Sequence, residues 1–182
     1  MTTTTQKKKR TLIHPDALVE NSIVGDGVRV EAGAAVIDSV IGDDVVIADH
    51  TVIHSSVIGD GCRTLVDTHL RRVVAMPGST LSNLDMQDAV FGRAIFLTTS
   101  VGFFRDAIAE NVVVDGRDSG RAVLSGAIGA RTVLGSRALF TCGVALPPSL
   151  LVVARPGEAV GKVDEASLAK SWSKRGDRTR DV

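Results

Sequence analysis

The stretch from Val24 to Ile58, VGDGVRVEAGAAVIDSVIGDDVVIADHTVIHSSVI, decides the fold. It divides into segments of six, six and five residues, and each segment opens with valine or isoleucine. Three segments make a unit of 17 residues, so Val24, Ile41 and Ile58 are evenly spaced. A repeat this short predicts a solenoid in which each coil stacks on the one before it.

The same rhythm continues on both sides of this stretch. Phe91 and Ile108 are again 17 residues apart, whereas the count slips by one residue near 70–74. Ile128 follows Ile108 by 20 residues, which is three more than one coil. We expect these extra residues in Asp115–Arg121, DGRDSGR, because a charged, glycine-rich stretch is typical of a turn that bulges from a solenoid.

Residue sizes within each segment predict a triangular prism of short parallel strands. The aliphatic first residue fills the interior, the fifth residue is small or β-branched, and Gly-Asp pairs make the turns. Coils spaced by about 4.8 Å would give about seven coils and a prism roughly 34 Å long. A β-sandwich is disfavoured, because its strands do not keep such a count.

The domain organisation follows from the extent of the repeat. We predict an all-β chain with a parallel β-helix over residues 13–155 and a disordered tail over residues 1–12. Residues 156–182 change in character. Asp164–Lys174, DEASLAKSWSK, has Trp172 at helical spacing from its other apolar residues and predicts a short capping helix before a disordered end.

Composition excludes several functions. Acidic and basic residues balance at 21 each, so no global field favours nucleic acid. No apolar run reaches the roughly 18–20 residues that span a bilayer, and residues 1–10 contain no secretory apolar core, so we expect a cytoplasmic protein. Cys62 and Cys142 are too few and too distant for a disulfide framework or a zinc ribbon, and we interpret both as interior residues.

The repeat in Val19–Cys62, VENSIVGDGVRVEAGAAVIDSVIGDDVVIADHTVIHSSVIGDGC, resembles the hexapeptide-repeat proteins, and especially the carboxy-terminal β-helix of sugar-1-phosphate nucleotidyltransferases. The resemblance implies a left-handed β-helix and a homotrimer with parallel axes. Only residues 1–12 precede the helix here, so we do not expect nucleotidyltransferase activity. Acyltransferases, carbonic anhydrases and inert scaffolds share this fold, so the resemblance leaves the function open.

The γ-class carbonic anhydrases are one relative with a testable motif. IADHTVIHSSVIGD resembles their closing metal-ligand stretch, and His54 matches one ligand. Asp49 stands where a second histidine is expected, and His50 is one residue away from it. We therefore expect no metal, and a hydratase is a remote alternative.

Hexapeptide acyltransferases are a closer relative. Sialic-acid and bacillosamine-type N-acetyltransferases place a general-base histidine in the form His-Asp-Cys-Val-Ile-Gly, and residues 54–59 here are His-Ser-Ser-Val-Ile-Gly. The resemblance implies that His54 is a general base, with acetyl-CoA or another acyl-CoA as co-substrate and a sugar-nucleotide or other small amine or hydroxyl as acceptor. Ser55 replaces the aspartate that would orient the imidazole, so His54 needs another group, such as a backbone carbonyl or a residue of the Asp115–Arg121 bulge.

Two histidines are candidates by position alone. His54 is the second residue of its segment and points outward, where a groove between subunits would lie in a trimer. His50 is a fourth residue and points outward one face earlier. Both are equally consistent with ordinary surface histidines.

Two further sets of residues are candidates for binding a substrate. His69, Arg71 and Arg72 lie where the count slips, and local irregularity could present them together as an anion site. The bulge offers a second, charged set that could wall the cleft: Asp115, Arg117, Asp118 and Arg121. Solvated surface is the competing interpretation of both. The sequence thus leaves a small acyltransferase and a non-catalytic trimeric scaffold or binding module as alternatives.

Overall fold

The computed structural model describes residues 9–82, 84–99, 101–104, 111–114, 116–136, 138–153 and 159–160. All regular secondary structure within these residues is β-strand. Three predicted features lie outside the described residues: the capping helix with Trp172, the disordered end after it, and Asp115 of the bulge. The strands are β1 Leu12–Ile13, β2 Leu18–Glu20, β3 Ile23–Val24, β4 Arg29–Val30, β5 Ala35–Ile37, β6 Val40–Ile41, β7 Val46–Ile47, β8 Val52–His54, β9 Val57–Ile58, β10 Arg63–Thr64, β11 Thr68–Ala75, β12 Thr80–Leu81, β13 Leu84–Phe91, β14 Phe96–Leu97, β15 Gly102–Phe104, β16 Val113–Val114, β17 Arg117–Asp118, β18 Gly126–Ile128, β19 Val133–Leu134, β20 Leu139–Thr141, β21 Val144–Leu146, β22 Leu151–Val152 and β23 Ala159–Val160.

The strands stack as parallel coils of a β-helix, as the repeat predicted. The first face carries β2, β5, β8 and the first halves of β11 and β13, and the second face carries β3, β6, β9 and the second halves of the same two strands. The third face is the eight-stranded sheet β1-β4-β7-β10-β12-β14-β19-β22. The left-handed parallel β-helix is confirmed, with about eight turns in place of about seven.

The interior is filled by the residues that open the segments. Val36, Ile41, Ile47, Ile53 and Ile58 are each at most 1% exposed, and residues one coil apart lie over one another, as Val36 does with Ile53 and Ile41 with Ile58. Burying an aliphatic side chain of this size contributes roughly 1.5–3 kcal/mol. The fifth-position residues Val28, Val45, Thr51 and Cys62 are also fully buried, which the prism predicted.

The Gly-Asp turns are held together from coil to coil by aspartate side chains. The backbone amide of Asp26 donates to the Asp43 carboxylate at 2.8 Å, and that of Asp43 donates to the Asp60 carboxylate at 2.9 Å. Gly42 precedes this turn because a Cβ there would press against Asp60. The recurring Gly-Asp motif therefore satisfies amides that a sharp corner leaves without a strand partner.

The first corner, between the first and second faces, has a second recurring pair. Its leading positions have left-handed backbone φ angles of 47° to 51° and are polar: Asn21, Asp38, Ser55, Arg72 and Asp88. Serines follow the first three of them, and the amides of Ser39 and Ser56 donate to the hydroxyls of Ser22 and Ser39 in the preceding coil. Asparagine and aspartate tolerate this backbone region better than most residues, which suits them to the corner.

The single-residue slip and the bulge have different structural origins. β11 and β13 pair at a spacing of 16 residues, as in Thr68 with Leu84, so that coil is one residue shorter. Phe91 pairs directly with Ile128, 37 residues later. The expectation of one coil plus three residues was therefore wrong, because a single turn carries an insertion of about twenty residues between Phe104 and Gly126.

The described part of the insertion uses its apolar residues locally, so these residues do not mark a coil. Val113–Val114 pairs with Arg117–Asp118 as an antiparallel hairpin. Val112 is 7% exposed and its side chain lies over Gly143, where a Cβ would be 2.6 Å from it. The period of apolar residues thus continues through a segment that forms no coil.

Candidate functional site

A groove of about 380 Å³ lies on the first face, next to the first corner. Its apolar floor includes Ile37 and Val52. Its polar lining, which defines the His54 groove from here on, comes from three adjacent strands: His54, His69, Arg71, Asp85 and Gln87. These side chains alternate with the buried Ile53, Leu70 and Met86, because successive residues of a strand point to opposite faces.

His54 ends β8 and presents its imidazole to this groove with 37% of the side chain exposed. Nδ1 lies 2.9 Å from the hydroxyl of Ser55. Nε2 lies 3.7 Å from a carboxylate oxygen of Asp38, which is beyond hydrogen-bond length but within ion-pair range. The imidazole therefore has a hydroxyl at one nitrogen and an anionic group near the other.

Asp38 is the functional neighbour that sequence reasoning missed. It occupies the same corner as Ser55, one coil earlier, and the Asn21 side-chain amide donates to its other oxygen at 2.6 Å. Ser55 stands directly after His54, where the acetyltransferase motif has an aspartate, and the nearby carboxylate comes instead from Asp38 in the preceding coil. The 17-residue period was the signal that could have found it, because it places residue 38 beside residue 55.

The orientation of His54 differs from the two arrangements expected from sequence. Among the described residues, the side-chain partners of His54 are Ser55 and Asp38, in place of a backbone carbonyl or a residue of the bulge. Arg121 of the insertion reaches Asp88 instead, at 3.4 Å. The described part of the insertion therefore contacts the corner beside the groove without touching the imidazole.

The predicted grouping of His69, Arg71 and Arg72 is only partly observed. His69 and Arg71 both line the His54 groove, on alternate outward positions of β11. Arg72 occupies the first corner and donates two hydrogen bonds to Asp88, at 2.7 and 2.8 Å. It is separated from the other two because the corner turns its side chain toward the next coil.

Asp88 joins the corner to the insertion. Its side chain is 11% exposed and accepts the two bonds from Arg72, with Arg121 also in range. The hydrogen bonds from Arg72, aided by the charges of both guanidinium groups, hold the pKa of Asp88 below its usual range. The same bonds raise the pKa of Arg72. A half-buried carboxylate between two arginines anchors the base of the insertion.

Arg117 and Asp118 of the insertion lie apart from His54. Arg117 and Asp118 line a separate recess of about 470 Å³ with Val114 and Ser119. The pKa of Asp118 is lowered by the backbone amide of Gly120, which donates to it at 2.7 Å, and by the side chain of Asn111. These residues stabilise the hairpin turn.

His50 lies at a corner and not on a face. Its φ is 55°, and its Nδ1 is 3.7 Å from an oxygen of Asp67, which occupies the same corner one coil later. β8 begins after this corner and ends at His54, so the two histidines stand at opposite edges of the first face. His50 and His54 therefore do not face the same groove.

Neither cysteine belongs to the groove. Cys62 is fully buried, donates to the carbonyl oxygen of Met76 at 3.3 Å, and has its pKa raised by burial. Cys142 is only half-buried, so the expectation of an interior position holds for Cys62 alone.

Within the described part of the chain, no three histidine, cysteine or acidic side chains group closely enough to hold a metal ion. That part also contains no helix long and apolar enough to cross a membrane.

Comparison with known families identifies the repeat. The model of the GlmU-like C-terminal hexapeptide matches residues 10–71, which include His54 and the first coils of the prism. Residues 10–71 therefore carry the hexapeptide repeat of this family. No curated protein matches the sequence.

Several solved structures are similar to this chain. The acetyltransferase domain of PglB from Neisseria gonorrhoeae is 22% identical, with 84% of this chain and 58% of that chain covered and a TM-score of 0.43. A GDP-perosamine N-acetyltransferase from Caulobacter crescentus, solved with CoA and GDP-perosamine, is 27% identical, with coverages of 85% and 58% and a TM-score of 0.41. A putative acetyltransferase from Bacillus cereus is 14% identical, with coverages of 93% and 87% and a TM-score of 0.49. The chain thus spans 58% of the length of the first two.

The hexapeptide β-helix also carries an exposed apolar stripe on its second face, just across the first corner from His54. The stripe consists of outward residues that pair from coil to coil and are 41% to 69% exposed: Ile23, Val40, Val57, Val74 and Val90. Five strands at about 4.8 Å give it a length of roughly 19 Å. A continuous apolar ladder of this kind is unusual on an exposed face.

Proposed function

We propose that this protein transfers an acyl group from a CoA thioester to an amine or hydroxyl of a small acceptor, with His54 as general base. The observation that carries the proposal is the placement of the His54 imidazole. The imidazole faces the His54 groove and has the Ser55 hydroxyl near one nitrogen and the Asp38 carboxylate near the other. A general base needs both access to the acceptor and a fixed orientation.

The contact with Ser55 permits a reactive form of the imidazole, because a hydroxyl can accept a hydrogen bond from Nδ1 as well as donate one to it. When Nδ1 carries the proton and donates it to the Ser55 hydroxyl, Nε2 keeps a free lone pair. Nε2 is then the atom that accepts a proton from the acceptor. Its proximity to Asp38 at 3.7 Å favours the positive charge that develops as the proton arrives.

The reaction itself is a substitution at the thioester carbonyl. The acceptor nitrogen or oxygen forms a bond to the carbonyl carbon while Nε2 of His54 removes its proton. The bond from carbon to sulfur then breaks, and the leaving thiolate takes up the proton from the imidazolium as free CoA. His54 thereby returns to its starting state after each turnover.

We propose that the groove is completed by neighbouring copies in a homotrimer. The apolar stripe runs along the second face, and His54 lies at the adjacent edge of the first face. A copy that covers the stripe would therefore stand beside the imidazole and exclude water from it. Water weakens exposed ion pairs to about 0–1 kcal/mol. Excluding it would therefore strengthen the attraction between the Asp38 carboxylate and the protonated imidazole of His54.

The donor and acceptor classes belong to this proposal. We propose acetyl-CoA or another acyl-CoA as donor and a sugar-nucleotide, or another small amine or alcohol, as acceptor. Incubating the protein with acetyl-CoA and a panel of amino-sugar nucleotides, followed by mass spectrometry of the products, tests it. Acylated acceptor that increases with enzyme concentration supports the transferase. A failure to acylate any acceptor, together with no calorimetric binding of acetyl-CoA at millimolar concentration, would favour the non-catalytic trimeric scaffold.

A further inference from the structure

Arg71 is a cation in the His54 groove that no described acidic group neutralises. Its side chain is exposed on β11 and makes no hydrogen bond or ion pair with the residues that the structure describes. The neighbouring arginines behave differently. Arg72 and Arg121 bind Asp88, and Arg29 binds Glu31. An unpaired guanidinium inside a groove is available to a ligand.

The register fixes where this cation stands relative to the proposed base. His54, Arg71 and Gln87 pair directly across β8, β11 and β13 and point to the same side. Adjacent strands are about 4.8 Å apart, so Arg71 projects from a point one coil beyond His54. Because an arginine side chain is long, its guanidinium can meet a ligand group roughly 5–10 Å from the atom that His54 deprotonates.

Two neighbours define the side from which an anion approaches. His69 lies two residues before Arg71 on the same outward surface of β11, and it can contribute a second donor. Asp85, the acidic residue of the groove, lies on the next strand and accepts a hydrogen bond from Gln87 at 2.8 Å. Its negative charge is thus on the side of Arg71 away from His54, so an anion is favoured between Arg71 and His54.

We infer that Arg71, assisted by His69, binds a phosphate or carboxylate group of the acceptor. This inference rests on the proposed acyl transfer for the identity of the ligand as acceptor. The site selects acceptors that carry the anionic group one coil from their reacting amine or hydroxyl. Arginine suits this task because its planar fork donates two parallel hydrogen bonds to phosphate or carboxylate oxygens.

The test measures anion binding directly, without any acyl donor. Isothermal titration calorimetry with inorganic pyrophosphate at low ionic strength, where electrostatic binding is least screened, compares wild type with Arg71→Gln. Arg63→Gln is the matched control, because Arg63 is an exposed, outward strand residue on the third face. We expect Arg71→Gln to weaken binding roughly 10–100-fold, since hydrogen bonds to charged groups contribute about 1.5–3 kcal/mol. Arg63→Gln should bind pyrophosphate as wild type does.

The outcomes separate this inference from the proposed function. Absence of pyrophosphate binding by wild type, or an equal loss in Arg71→Gln and Arg63→Gln, overturns the anion site. If acylation of an anionic acceptor is found but Arg71→Gln leaves its KM unchanged, the anion site is also overturned while the transferase stands. Arg71-dependent binding in a protein without acyl transfer supports the anion site and refutes the transferase.

Discussion

The carboxylate of Asp38 lies 3.7 Å from Nε2 of His54, across one coil of the helix. Ser55, which follows the histidine, occupies the same corner as Asp38 in the next coil. The solenoid thus brings an acidic group to the imidazole from a residue 16 positions earlier. Because the coils stack, Asp38 and Ser55 lie next to each other at this corner, and each contacts one nitrogen of the same imidazole.

Asp38→Asn should lower kcat of the proposed transferase about tenfold and leave KM for the acceptor nearly unchanged. Asparagine tolerates the left-handed φ of 50° at this corner, so the backbone should be preserved while the charge near the developing imidazolium is removed. Steady-state kinetics of the purified variant measure this. Asp67→Asn is the control, because Asp67 has the same 3.7 Å relation to His50 at another corner. Equal effects of the two substitutions would contradict the assigned role of Asp38.

The apolar stripe should determine oligomeric state. Replacing Val40 and Val74 together by glutamate places charges on the stripe, and we expect dissociation of an assembly with about three times the 19.1 kDa mass of one chain. Light scattering measures the mass. Val66→Glu is the control, since Val66 is 48% exposed but lies outside the stripe. A wild-type mass near 19.1 kDa at micromolar concentration would refute the homotrimer.

Asp88 should make stability depend on pH in the acid range. Its pKa is lowered in the folded protein, so its stabilising contribution is complete above the unfolded carboxyl pKa of about 3.9 and is lost as pH falls through the lower, folded pKa. The difference in unfolding free energy between wild type and Asp88→Asn should therefore be largest near pH 6 and shrink below about pH 4. Urea unfolding at pH 6, 4 and 3 measures it. A difference that stays constant with pH for Asp88→Asn would count against the arginine bridge.

The sequence predicted the parts of the structure that repeat. A narrow interior dictates the first position of each segment and the fifth position of the six-residue segments, so Ile53 and Cys62 could be assigned to the core and His54 to the surface. The fifth residues of the five-residue segments, Val40 and Val57, are instead exposed on the stripe. The insertion broke the count with apolar residues such as Val112, which pack on a corner and not in the prism. The contact between His54 and Asp38 joins two neighbouring coils. The 17-residue period predicts it only when Asp38 is compared with Ser55, the residue at the same corner one coil later.

His54→Ala provides the most direct test of the central claim, acyl transfer with His54 as general base. Turnover of acetyl-CoA with an accepted acceptor should fall roughly 10²–10⁴-fold, the usual contribution of a positioned general base. The free energy of unfolding should change by no more than about 0.5 kcal/mol, because the partly exposed imidazole leaves no cavity in the core. His50→Ala should retain nearly all activity, since His50 lies at the opposite edge of the face. A folded His54→Ala variant with wild-type turnover would contradict the account.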